Sequence, residues 1–86
     1  MDTIKTILLK KEYDGITFRF KEVMDAKGIN RNQLAKHANI RFEVADRFYN
    51  GKIERLDIDI LARVCYALSC NVGDVIVYKR NTHLKT

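Results

Sequence analysis

The chain has 86 residues, enough for a single domain, with 47% apolar and 31% charged residues and a formal net charge of +5. This balance excludes disorder, which needs too little apolar surface to offset the entropy of ordering. No apolar run approaches the ~18 residues of a membrane span, and the longest one near the N-terminus, Ile7-Leu8-Leu9, is flanked by lysines and too short for a secretory signal. A chain with these features is expected to stay in the cytoplasm, with no membrane partner.

The location of the positive charge is more informative than its size. Residues 30–56 hold six basic groups (Arg31, Lys36, Arg41, Arg47, Lys52, Arg55) against three acidic ones, a surplus that suits a surface facing a polyanion. The two cysteines, Cys65 and Cys70, make no disulfide framework and read as core packing. His37 and His83 stand far apart. No metal and no cofactor is expected. There is no nucleophile–base pair and no phosphate-cradling glycine loop, so the chain does not read as an enzyme.

With no proline, the four glycines are the main punctuation. Ile7 and Leu9, then Ile16, Phe18 and Phe20, alternate with polar residues around Asp14-Gly15, which predicts a β-hairpin. A rival reading puts Ile4, Ile7, Leu8 and Lys11 on one helical face. Thr17 and its aromatic neighbours favour the extended form. From Phe20 the period changes: Phe20, Val23, Met24 and Lys27 fit a short helix closed by Gly28. Asn30 is placed to cap a second helix, with Gln33 completing a capping box and Ile29 and Leu34 forming a staple. That helix ends at Asn39, a residue that tolerates a left-handed backbone.

A third helix starts near Arg41 or Phe42, buries Val44, Ala45 and Phe48, and stops at Asn50-Gly51. Ile53 and Leu56 are expected to plug the core from the following connection. Asp57 caps a fourth helix with Ile60, Leu61, Val64, Cys65 and Leu68 on its inner face. Asn71 caps a short turn of helix, Val72 to Val75, and Ile76-Val77-Tyr78 follow in extended form. The tail from Lys79 is polar.

Two short helices, 30–38 and 42–49, joined by a three-residue turn make a helix-turn-helix unit over 30–49. Ala35 provides the small residue at the crossing, Asn39 the left-handed turn residue and Ile40 the apolar plug. Gln33-Leu34-Ala35 and Asn50-Gly51-Lys52, with the later Cys65-Tyr66-Ala67-Leu68-Ser69-Cys70 and Gly73-Asp74, make residues 18–78 resemble the Cro/C1-type (XRE-like) helix-turn-helix domains of phage and bacterial repressors. The resemblance implies a mainly α fold, a lambda-repressor-like bundle of four to five short helices, here with the N-terminal β-hairpin as an extension. The domain limits follow as 1–17 for the extension, 18–78 for the helix-turn-helix domain and 79–86 for a tail. The family usually has Gly at 39, Ser or Thr at 41 and small polar residues at 42 and 43, where this chain has Asn, Arg, Phe and Glu. Met24 and Tyr49 stand where several relatives pair Arg with Glu, and an apolar contact is expected there instead.

The resemblance implies sequence-specific binding of double-stranded DNA and transcriptional regulation, as a repressor. Arg41, Phe42, Glu43 and Arg47 are the base-reading candidates, on a recognition helix lying in the major groove. Asn30, Arg31, Gln33, Asn50, Lys52 and Arg55 are the phosphate-contacting candidates. A homodimer is expected, because one 10.0 kDa chain contacts too few bases to be selective. The N-terminal segment and residues 75–78 are its candidate interfaces. Glu43 and Asp46 would repel phosphate unless paired with Arg47 or Lys36. The alternative is therefore a protein-interaction module on the same fold, antirepressor or antitoxin-like, that does not read DNA.

Overall fold

A computed structural model describes residues 4–8, 13 and 15–79. Its elements run β1 (Ile16–Phe18), α1 (Phe20–Lys27), α2 (Arg31–Ala38), α3 (Phe42–Asn50), α4 (Ile58–Leu68), α5 (Val72–Val75) and β2 (Ile76–Tyr78). Among the described residues, five helices and a small two-stranded sheet give the mainly α bundle expected from the sequence.

The expected hairpin does not form as written. β1 lies where its second strand was placed, but it pairs antiparallel with β2, with Ile16 opposite Tyr78 and Phe18 opposite Ile76. Ile7 and Leu8 are in no strand, while Leu9 and Asp14 lie outside the described residues. The reason is burial. The pairing found sets Phe18 opposite Ile76, and both pack against the helical core. Backbone bonds extend the ladder at both ends, from Lys79 N to the Gly15 carbonyl (3.0 Å) and from Arg19 N to the Val75 carbonyl (2.7 Å). β1 thus straddles the domain limit placed at 17/18.

The helix ends follow the local chemistry. The Asn30 side chain accepts from the Gln33 amide at 2.8 Å, and the Gln33 side chain accepts from the Asn30 amide at 2.8 Å, closing the capping box. Asp57 accepts from Asp59 and Ile60 at the start of α4. α2 ends on Asn39 at φ 56° and α4 on Ser69 at φ 53°, both left-handed without being glycine. The core gathers Phe20 and Met24 from α1, Leu34 and Ala38 from α2, Ala45 and Phe48 from α3, Leu61, Val64, Cys65 and Leu68 from α4, and Val75. Phe20 and Phe48 meet edge to face at 4.8 Å, a contact worth ~0.5–1.5 kcal/mol beyond area burial. Ile53 packs against this core as expected. Leu56 does not: it is exposed, in the connection that bends at 54–55 ahead of α4.

Candidate nucleic-acid interface

The helix-turn-helix is α2, a turn over 39–41, and α3. At Asn39 the turn takes the left-handed backbone, and the Ile40 amide bonds back to the Ala35 carbonyl (3.0 Å). Ile40 and Ala35 are half-buried against the core. Arg63 of α4 holds the turn from outside: its guanidinium donates to the Asn39 carbonyl at 3.0 Å and pairs with Asp59 at 2.9 Å. A cation there also complements the negative end of the α2 dipole.

α3 is divided lengthwise. Successive side chains turn by about 100°, so Val44, Ala45 and Phe48 share the arc that packs inward. Glu43, Asp46, Arg47 and Asn50 share the opposite arc. Glu43, Arg47 and Asn50 are exposed and Asp46 is half-buried. Phe42 sits at one edge of the helix, 42% exposed, next to Tyr49. Arg41 is exposed at the N-cap, and its carbonyl accepts from Val44 and Ala45.

Arg31, the first residue of α2, is the hub of a polar cluster. Its guanidinium pairs with Asp46 and lies over two rings, 5.5 Å from the centre of Phe42 and 5.6 Å from that of Tyr49. Asp46 was expected to find its cation in Arg47 or Lys36, and the structure gives it Arg31 instead. Asn50 also turns to Asp46, donating its side-chain amide to the backbone carbonyl (3.0 Å) and to the carboxylate (3.1 Å). Phe42 is therefore folded partly back onto the domain and stacked with Arg31.

The link between α1 and α3 also differs from the expected apolar one. Met24 is wholly buried in the core. Tyr49 instead donates its hydroxyl to Asp25 at 3.0 Å, and Lys21 pairs with the same carboxylate at 3.0 Å while lying 5.4 Å from the Tyr49 ring centre. The hydrogen bonds from Lys21 and then Tyr49 hold the Asp25 carboxyl below its ordinary value, and the bond to Asp25 raises Lys21. The i,i+4 pairing of Lys21 with Asp25 is visible in the sequence. The bond to Tyr49 spans 24 positions and is not.

Of the shallow grooves that border α3, two lie beside the candidate phosphate contacts. One is lined by Asp25, Gly28, Ile29, Asn30, Arg31 and Tyr49. The other brings together Arg47, Lys52 and Arg55 with Gly51, Ile53 and Glu54. Arg41, Glu43, Arg47, Lys52 and Arg55 make no side-chain ion pair or hydrogen bond among the described residues. Gln33 uses its carbonyl oxygen in the capping box, which leaves its amide hydrogens as donors. Asn50 has no spare donor, since both bonds to Asp46 come from its amide.

Elsewhere, Cys65 is buried and Cys70 half-buried at the end of α4, and burial followed by the neighbouring Cys65 pushes the Cys70 thiol up to about 11. Such a thiol is a poor nucleophile and a poor ligand at neutral pH. Among the described residues no group of three or more His, Cys, Asp or Glu could hold a metal ion, and no helix is long and apolar enough to cross a membrane.

Comparison with known proteins agrees with this geometry. No curated protein sequence matches the chain. A crystal structure of the transcriptional regulator VanUg superposes with a TM-score of 0.62 at 16% identity, covering 88% of this chain and all of that one. At that identity the likeness is one of fold. The family model for the Cro/C1-type HTH DNA-binding domain matches residues 19–81, from the residue before α1 to just beyond β2. The chain belongs to the Cro/C1-type helix-turn-helix DNA-binding domain family.

Proposed function

We propose that the protein is a sequence-specific regulator of transcription that binds double-stranded DNA with α3 in the major groove. The observation that carries this reading is the outward arc of α3 together with its cationic border. Arg47 on the helix and Lys52 and Arg55 just past it share one groove with no partner for any of them among the described residues, while Arg31 and the capped N-terminus of α2 lie on the opposite border. A rod with one free face, set between two sets of phosphate donors, fits a major groove about 12 Å wide.

In this reading Arg41, Glu43 and Arg47 reach base edges, and Phe42 packs against a thymine methyl from the edge of the helix. Arg47 reads guanine through its two parallel donors, and Glu43 accepts from a cytosine amine. Asn30, Arg31, Gln33, Lys52 and Arg55 hold the phosphates. The positive end of the α2 dipole adds to the Asn30–Gln33 border. Asn50 contributes by steadying Asp46, because its amide donors are taken. Residues 18–78 form the DNA-binding domain, with 1–17 as an extension and 79–86 as a tail. The protein acts as a repressor in the cytoplasm, as a homodimer on paired half-sites, and carries out no catalytic step.

The competing reading, a protein-interaction module, rests on three groove-side residues, Phe42, Glu43 and Asp46. Two of them now have another explanation: Asp46 is neutralised by Arg31, and Phe42 is stacked beneath it. Only the unpaired Glu43 still favours that alternative. Selection of duplexes from a random pool, followed by a salt titration, tests the choice. DNA binding requires an enriched motif and an affinity that falls with salt at a slope near −0.9 per phosphate neutralised. Failure to bind any duplex at low salt rejects the proposal.

A further inference from the structure

α4 buries Leu61, Val64, Cys65 and Leu68 on one side. On a second arc, Ile58, Ala62 and Tyr66 follow one another at i, i+4 and i+8 and form an unbroken apolar stripe. Ile58 is 74% exposed, Tyr66 is 88% exposed, and Ala62 is also exposed. The polar flank of the stripe is Asp59 and Arg63, an i,i+4 pair that adds no net charge. A single exposed apolar residue needs no explanation, but two large ones lined up on one helix face do.

Building on the dimeric reading above, we propose that this face of α4 is where a second copy of the chain docks, with the two α4 helices antiparallel about a two-fold axis at Ala62. The stripe is complementary to itself. Rotation about Ala62 sets Ile58 of one copy against Tyr66 of the other, at both ends. Ala62, the smallest side chain of the three, stands on the axis, where two helix backbones must approach most closely. The same rotation lays each Asp59 beside the Arg63 of the other copy, so the charged flanks attract rather than repel. This matters for chains that each carry +5 overall.

The size of the stripe defines the kind of dimer. Tyr66 offers on the order of 200 Å², and with Ile58 and Ala62 the stripe stays well below the ~800 Å² per partner of a standard stable complex. The contact is therefore weak between free chains and strengthens once DNA holds two copies side by side. Of the two candidate interfaces named from the sequence, residues 16–17 of the N-terminal segment and 76–78 already pair with each other within one chain, as parts of β1 and β2.

The decisive experiment is Ala62→Cys in the full chain at high protein concentration without DNA, treated with a short bis-maleimide. Position 62 on the axis should cross-link to itself in most chains, while Lys36→Cys, exposed on α2, should not exceed the unsubstituted protein. The native thiols are buried or half-buried and give a low background. Tyr66→Glu and Ile58→Lys, both at exposed positions, should abolish the cross-link of the Ala62→Cys chain. On the selected duplex they should lower affinity at least ten-fold, while binding to a single half-site changes less than two-fold. An Ala62→Cys chain that cross-links no better than Lys36→Cys overturns the interface, whatever its affinity for DNA. A chain that cross-links at 62 but binds no duplex keeps the interface and removes the DNA reading instead.

Discussion

Asp46→Asn tests whether the Arg31 cluster restrains DNA binding. Asp46 is the acidic group of the groove-facing arc that shares Arg31, and both side chains are partly open to solvent, at 44% for Arg31 and 38% for Asp46. In the complex a phosphate would compete for the same guanidinium. With Arg31 between them, the carboxylate and the phosphate would lie roughly 7 Å apart, which costs about 0.6 kcal/mol at the dielectric of water and about 2.4 kcal/mol at an effective value near 20. A groove edge at physiological salt sits toward the lower figure. The substitution keeps an oxygen to accept from Arg31 and Asn50 while removing the charge. Affinity for the selected duplex should therefore rise about three- to ten-fold. The salt slope should steepen by up to ~0.9, as Arg31 becomes a full phosphate partner. Fold stability should change by less than ~1 kcal/mol, because a pair this exposed contributes little. Fluorescence anisotropy across a salt series reads affinity and slope, and a thermal melt reads stability. Weaker binding with an unchanged slope would refute the reasoning, since Asp46 would then be orienting Arg31 toward DNA rather than competing for it.

Arg47→Ala should relax base preference at one position and cost ~1–3 kcal/mol on the selected duplex, whereas Lys52→Ala should weaken all duplexes alike; identical behaviour in a panel of single-base variants rejects the division between base and phosphate contacts. Asn39→Ala should destabilise the fold by ~1–2 kcal/mol because of the left-handed backbone there, while Asn39→Gly should stay within about 1 kcal/mol of the parent, both read by denaturant melts. Asp25→Asn should flatten the acid limb of the stability profile. The folded carboxyl lies below its ordinary value, so its contribution is present above the unfolded value near 3.8 and disappears as pH falls through the lower folded one. A melt series from neutral to acid pH that shows the same limb in both proteins removes Asp25 from the link between α1 and α3.

The helices were legible because each of their signals is local. The Asn30–Gln33 box, the Asp57 cap and the left-handed Asn39 depend on residues within one turn of each other, and the structure has all three. The strand at Ile16–Phe18 was legible as a strand, but its partner was not. Alternation shows that a segment can pair, and the nearest turn signal, Asp14-Gly15, pointed to the neighbouring segment. The actual partner begins 58 residues further on, chosen because Phe18 and Ile76 share the core. Leu56 shows the same limit in reverse, an apolar residue whose exposure depends on where the chain turns rather than on its own chemistry.

The candidate site divides along the same line. Which face of α3 is free follows from a period of 3.6, so Glu43 and Arg47 could be picked out from the sequence. Which charges remain available depends on contacts across the turn and between helices. Arg31 and Asp46 are 15 positions apart, Tyr49 and Asp25 are 24 apart, and Arg63 reaches Asn39 over another 24. Each of these bonds removes a charge or donor that the sequence presents as free, or fixes a residue beside one. Among the described residues, the cations left without partners around α3 are Arg41, Arg47, Lys52 and Arg55. The first stands at the N-terminal end of the helix, and the other three cluster around the groove at its C-terminal end. A phosphate clamp needs cations held near the groove but not already neutralised. By that requirement Lys52 and Arg55 would be the stronger phosphate anchors in the proposed complex, and Arg31 the adjustable one.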